Sequence, residues 1–436
     1  MYFWNPNEFQ IFYKDIYYVM TNYIESTDKL LINGPINAAR LVGTIDGREK
    51  VIYLFFDFHI SVLYQTQCPS YLSEDFVRYF VKTIKKTNKK KMFDFFFEIG
   101  PTFGDGPMPE YRGRYIDEVY RYFRSSINVV NSNNNDFKQT PKKITNKGSK
   151  YDTNLRLHYI DIRDYLKTDI NIFCNEMHVH LDTLLCHQNV NMTALDRVVE
   201  LLDMLQKEIH DTTSQLETFG LNAKSSRLTK SSIMVDAKIN FINDVFKKLF
   251  SKYQNNNVKQ KILYDSGIIA SIQKILKSAY KHINNMKQVI MDFKEIYVPS
   301  NILVKGHYDE YTYGTDQETR IKFASNLTIL FHEIDYEILV MYALIIDVYF
   351  MRRFLDKSYI NNGVLYAGAM HCANCLHMLV KYFDFKITHV AYSAHDIDTL
   401  HKEIKKTNFT NDFVAHFMKP VFSQCVDLSD FPKNFD

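Results

Sequence analysis

The chain alternates between two hydrophobic periods. "FQIFYKDIYYVMTNYI" repeats apolar residues at helical spacing, so residues 1–33 are expected to be helical and aromatic. "ARLVGTIDGREKVIYLFFDFH" places two apolar runs on either side of Asp46-Gly47, the pattern of a β-hairpin. "SEDFVRYFVKTIKK" has the spacing of an amphipathic helix, and "KKMFDFFFEIG" reads as a second buried strand. "PTFGDGPMPEYRG" is a Gly/Pro loop, and the polar, Asn-rich residues 128–154 are expected to form a mobile loop. "LRLHYIDIRD" alternates like a third strand, ending on Asp161 and Arg163. Helical spacing then dominates to about residue 296. "YEILVMYALIIDVYFMRRFLDK" predicts a buried helix, "NNGVLYAGAMHCANCLHMLVKYFDF" a strand followed by a helix, and "KITHVAYSAH" a last strand.

Strands alternating with helices imply an α/β fold whose central sheet is mostly parallel. Here that sheet would be formed by the N- and C-terminal parts of the chain and interrupted by a large helical insertion. The expected divisions are residues 1–166, 167–330 and 331–436.

In such sheets ligands bind beyond the carboxyl ends of the strands. Four predicted strands end in polar residues: Asp57 and His59; Glu98; His158, Asp161 and Arg163; and the run from Gly368 to His371. Two His with one or two carboxylates can hold a divalent metal ion, so His59, Glu98, His371 and Asp57 are candidate ligands. Without a metal, a His oriented by a carboxylate is a general base. Arg163 and Arg352 are candidates to bind an anionic group or oxyanion. Each has a plainer reading. His59 would be a hydrogen-bonded core residue, Glu98 would pair with Arg112 or Arg114, Asp161 with Arg163, and Arg352 and Arg353 would be a solvated helix end. Cys372 and Cys375 share a helix face, and "CNEMHVH" contributes Cys174, His178 and His180, which invites a zinc reading. Core packing of small thiols is favoured.

Composition narrows the classes. The 436 residues are 46% hydrophobic and 24% charged, enough for a sizeable core, with a net charge of +3 that argues against nucleic-acid binding. The 33 Phe and 30 Tyr against 14 Gly fit an AT-rich genome more simply than a function. No secretory signal or membrane span is expected, since the longest apolar run is short and carries charges. Six scattered Cys in a large chain suggest a reducing, intracellular setting.

The motifs carry a resemblance. "FDFH" followed by "QTQC", then "FFFEIGP", then "YAGAMH" resembles the superfamily of TraB/Tiki proteases, erythromycin esterases and ChaN haem-binding proteins. Gly368-Ala369-Met370-His371 matches the late Gly-x-x-His in full, Glu98 occupies the place of the strand-two Glu, and Phe56 stands where the first motif has Gly. "LHYIDIRD", "DVYFMRRF" and "VLYAGAMH" resemble uncharacterised proteins of large cytoplasmic DNA viruses. The resemblance implies a hydrolase-like site acting on a peptide or small ester, metal-assisted or not. It also implies location in the host cytoplasm or virion. A catalytically silent structural or interaction protein is the alternative, and haem binding a third reading.

Overall fold

In a computed structural model, the protein is described at residues 29–62, 67–88, 90–100, 113–129, 142–146, 152–163, 169–186, 190–222, 249, 253–297, 303–305, 311–313, 317–407, 416–417, 419 and 423–435. The strands in chain order are β1 (Leu31–Asn33), β2 (Asn37–Ile45), β3 (Arg48–Asp57), β4 (Glu74–Asp75), β5 (Phe93–Phe97), β6 (Ile127–Val129), β7 (Lys142–Asn146), β8 (Asp152–Tyr159), β9 (Val190–Asn191), β10 (Leu303–Lys305), β11 (Tyr311–Tyr313), β12 (Asn362–Gly368), β13 (Lys386–Val390) and β14 (Cys425–Asp427). The chain separates into two compact units, Met1–Ile160 with Lys357–Asp436, and Asp161–Asp356.

The first unit is mixed α/β. Its eight-stranded sheet runs β13-β2-β3-β12-β5-β8-β7-β6. The central strands β3, β12, β5 and β8 are parallel to one another. Both flanks are antiparallel, β13 and β2 on one side and β7 and β6 on the other. The β2–β3 hairpin turns at Asp46-Gly47, both at positive φ (49° and 73°), the geometry that Asp-Gly favours between twisted strands. Parallel strands buried on both faces need continuous apolar runs. "VIYLFFD" and "FDFFF" meet that need, and every residue in both runs is buried.

One sheet face carries Tyr53, Phe55, Phe93, Phe95, Phe97, Leu155, Val364 and Tyr366. Phe76, Tyr79 and Phe80 of the helix Phe76–Lys86 pack on it, with Phe123 and Phe435. Edge-to-face contacts such as Phe55–Phe76 at 4.7 Å and Phe80–Phe95 at 4.8 Å fill the layer. The helix Ala369–Phe383 follows β12 with no intervening loop, and its Cys372 thiol lies against the carbonyls of Phe55 and Ala367. Cys372 and Cys375 are buried thiols outside any disulfide, as core packing requires. The second unit contains the helices Asp169–Cys186, Met192–Asn222, Asn256–Gln260, Ile268–Tyr297 and Gln317–Asp356, and a small antiparallel sheet β10-β11-β9.

Several expectations change. Residues 31–33 form a strand paired with β14, because an open edge there outweighs local helical spacing, while residues 1–28 lie outside the described residues. The Asn-rich stretch supplies β6 and β7, since β8 presents a free ladder and "KKITN" can complete it. The rest of that stretch lies outside the described residues. Residue 330, where a division was expected, sits inside the continuous helix Gln317–Asp356, which has no Gly or Pro to stop it. The six scattered Cys suggest a reducing setting, yet Cys68 and Cys425 form a disulfide. It fastens β14 beside β1, where the Cys68 amide also donates to Asn33 Oδ1 at 2.8 Å. Among the described residues, no helix is long and apolar enough to cross a membrane.

Candidate active site

Period-two alternation puts Asp57 on the same face as Tyr53 and Phe55, at the last position of β3. Its register partner on β12 is Gly368, and Phe55 is paired with Tyr366. Asp57 is therefore buried at the end of an aromatic row, where an unpaired carboxylate would be costly. Every available oxygen position is used. Oδ1 accepts from the Tyr366 hydroxyl at 2.9 Å, and Oδ2 accepts from the His59 backbone amide at 2.9 Å. Oδ2 also lies 2.5 Å from His59 Nδ1. This local cage accounts for His59 adopting φ +58°, a left-handed conformation that non-glycine residues seldom occupy. The chain turns sharply there and presents the imidazole at the carboxyl edge of the sheet.

His59 Nε2 then meets Glu98 Oε2 at 3.0 Å. The same Oε2 accepts from the Gly368 amide at 2.7 Å, while Oε1 lies 3.5 Å from His371 Nε2. His371 sits in the first turn of the helix Ala369–Phe383. β3, β12 and β5 are adjacent, so Tyr366, Asp57, His59, Glu98 and His371 form one continuous polar chain across three strand ends. The strand-end residues Asp57, His59, Glu98 and His371 are thus brought together. His59 and His371 side chains remain 30% and 13% exposed, whereas Asp57 is sealed.

Burial alone would lower the His59 imidazole, but the hydrogen bonds and charges of Asp57 and Glu98 outweigh it and raise its pKa to about 9. Burial would raise Glu98, yet the His371 and His59 imidazoles hold it well below the usual carboxylate range. Burial, reinforced by Asp57, pushes the Tyr366 phenol well above its ordinary value. The raised value favours the charged form of the His59 imidazole, and the lowered one favours the ionised form of Glu98.

Gly368 closes the arrangement. A Cβ there would lie 3.1 Å from His59 Nε2 and 3.3 Å from Glu98 Oε2, so a side chain would press on both groups and the cluster would have to give by a few tenths of an ångström. Phe56, in the place of the resembled family's first Gly, faces away into the core, stacked on Phe417 at 6.1 Å.

The other strand-end residues go elsewhere. His158 is one residue from the end of β8 but lies on the opposite sheet face: its Nε2 is 2.6 Å from buried Asp94, which also takes a two-pronged bond from Arg156. β8 ends at Tyr159, before Asp161. Asp161 and Arg163 belong to the second unit and bind each other, with Nε and Nη2 at 2.9 and 2.8 Å from the carboxylate. Arg352 also belongs to the second unit, stacked over Tyr253 at 5.7 Å. It is not a solvated helix end, for its Nε is buried and Arg353 is buried too. Arg114 pairs with Asp117 at 2.7 Å and Arg112 lies outside the described residues, so among the described residues Glu98 is bound by the two imidazoles and the Gly368 amide.

The donors suit a metal poorly as arranged. Asp57 has both oxygens engaged, and His59 Nε2 and Glu98 are directed at each other. Among the described residues, no three His, Cys, Asp or Glu side chains form a metal-binding group.

The model of a family of unknown function, DUF5847, matches residues 30–436. The chain belongs to the DUF5847 family. It is similar to uncharacterised protein R706 of Acanthamoeba polyphaga mimivirus, 32% identical over 95% of this chain and 99% of that protein. Uncharacterised protein R161 of the same virus is 29% identical over 93% and 98%. The shorter R129 is 36% identical over 32% of this chain and 76% of its own length. No solved structure matches. The expected kinship with giant-virus proteins is borne out, and DUF5847 spans both compact units.

Proposed function

We propose that this DUF5847 chain is a hydrolase acting on a small ester or peptide at the carboxyl edge of its sheet. The observation that carries the reading is Glu98 bridging His59 and His371 while Asp57 fixes His59 from behind. Three neighbouring strands deliver this one proton-handling set to the edge where α/β sheets place ligands. The likeness of "FDFH", "FFFEIG" and "YAGAMH" to TraB/Tiki and erythromycin esterase motifs supports it.

His371, the more loosely held imidazole, takes a proton from water as that water attacks the acyl carbon. The new C–O bond puts negative charge on the carbonyl oxygen, which the His59 imidazolium stabilises. The bond to the leaving group then breaks, and the proton on His371 passes to the departing oxygen or nitrogen. A metal-assisted version would require His59, Glu98 and His371 to turn from one another toward a shared ion, and no step is assigned to one here.

The test combines hydrolysis of 4-nitrophenyl acetate and a short peptide library with elemental analysis of the purified protein. Rates should fall by about 10²- to 10⁴-fold in His371→Gln. Wild-type rates in both His59→Ala and His371→Gln would end the hydrolase reading. A stoichiometric divalent ion lost in His59→Ala would replace it by the metal-assisted form.

A catalytically silent scaffold is the second reading. One observation favours it: Asp57 and both His59 nitrogens are already satisfied within the cluster. The Cys68–Cys425 bond further favours an oxidising setting, such as an assembled virion, over long residence in reducing host cytoplasm.

A further inference from the structure

Among the described residues of the first unit, Arg114 is a cation that the geometry ties to this site and that proton transfer leaves unused. Val62, three residues after His59, donates its amide to the Gly113 carbonyl at 2.7 Å. Gly113 adopts φ +70°, and a Cβ on it would lie 3.4 Å from Ser61 Oγ, so the two segments run in close contact. On the other side of Arg114, the Tyr115 ring and the Tyr366 hydroxyl converge, each 3.4 Å from the position of a Cβ on Gly34. Tyr366 is the residue that donates to Asp57. Arg114 is thus bracketed by two contacts that both lead into the His59 cluster. Its guanidinium lies within electrostatic reach of Asp57 and Glu98.

The side chain is also fixed. Nε and Nη2 bind Asp117 at 3.2 and 2.7 Å, and the Arg114 amide binds the same carboxylate at 3.2 Å. That leaves the Nη1 edge of a half-buried, preorganised fork for an incoming acceptor. Exposed Phe58 and Met370, the neighbours of His59 and His371 in the chain, offer apolar surface next to those two imidazoles.

We propose that Arg114 is a specificity-determining residue that binds a carboxylate carried by the substrate, so that the preferred substrate is a monoanionic ester with an apolar portion. This rests on the hydrolytic reading of the cluster. A monoanion fits better than a phosphate dianion because Asp57, Glu98 and Asp117 already crowd the two cations with negative charge.

Two measurements decide it. The first compares kcat/KM for neutral 4-nitrophenyl acetate and anionic mono(4-nitrophenyl) succinate. Wild type should prefer the succinate ester. Arg114→Gln should reduce that preference by about tenfold to a hundredfold, mainly through KM, as expected for a lost charge-assisted bond. Arg114→Lys should restore part of it. A preference unchanged in Arg114→Gln overturns the proposal. The second is calorimetric binding of butyrate, a monoanion with an apolar portion, and of inorganic phosphate to wild type and Arg114→Gln. Butyrate should bind wild type more tightly than phosphate does, and should be lost in the variant. Equal butyrate binding by both proteins, no binding by wild type, or tighter phosphate binding overturns the proposal even if neither ester is hydrolysed. Absence of hydrolysis with Arg114-dependent butyrate binding would instead remove the hydrolytic reading and leave an anion-binding site.

Discussion

The sheet of the first unit holds two carboxylate–histidine pairs of nearly the same length. Asp57 and His59 are 2.5 Å apart at the carboxyl edge, and Asp94 and His158 are 2.6 Å apart between β5 and β8. The difference lies in what surrounds them. At the edge, the imidazole retains 30% of its exposure and continues to Glu98 and His371. Within the sheet, Asp94 and His158 are sealed at 0% and 1%, Arg156 clamps the same carboxylate, and Phe96 stacks on the ring at 4.6 Å. One pair can exchange protons with a visitor, and the other only holds two strands together. Pair geometry alone does not distinguish a site from a fastening; access and the next partner do.

The sealed pair should be the costlier to break. Asp94→Ala leaves Arg156 and His158 without their shared carboxylate, and about 3–5 kcal/mol of stability should be lost in a denaturant titration. A loss smaller than that of Asp57→Ala would reverse the contrast. The open pair should show itself through pH. With its pKa raised from 6.5 to about 9, His59 contributes stability fully below pH 6.5 that disappears as pH rises through 9. Unfolding free energy should therefore fall by up to roughly 3 kcal/mol over that window, and His59→Gln should flatten the slope. A slope that persists in His59→Gln would assign it to another group. Glu98 acts in the opposite sense, adding stability near neutral pH that is lost in acid.

Smaller effects sharpen the comparison. Gly368→Ala drives a methyl against His59 Nε2 and Glu98 Oε2, with an expected cost of about 1–3 kcal/mol. Circular dichroism melting should report it, and an unchanged melting temperature would show that the cluster yields easily. His371→Gln should cost only about 1 kcal/mol, since it removes one long contact from a partly open residue. A chemical-denaturation loss as large as that of Asp94→Ala would make His371 structural.

The elements of this sheet were legible where local chemistry decided them. Asp46-Gly47 announced the hairpin, the doubly buried runs announced β3 and β5, and the strand ends Asp57, Glu98 and His371 were correctly gathered. What depended on register was not legible. Tyr366 reaches Asp57 across 309 residues of sequence, and only the β3–β12 pairing reveals it. Asp161 and Arg163 read as the tip of this strand because "LRLHYIDIRD" keeps alternating beyond Tyr159, where pairing with β5 stops. The disulfide was hidden for the same reason, since two scattered Cys acquire meaning only when β14 is laid beside β1.

That disulfide has a topological consequence. Cys68 and Cys425 are separated by 357 positions, so the whole of Asp161–Asp356 lies inside a single covalent ring. A protease that cuts once anywhere between the two Cys opens the ring without releasing a fragment. The nicked chain should run as one species on a non-reducing gel and as two after reduction. Tension applied at the two ends would likewise pass through the sulfur bridge and bypass both the second unit and strands β4 to β13. That loop would let the fold survive a single break in its own backbone.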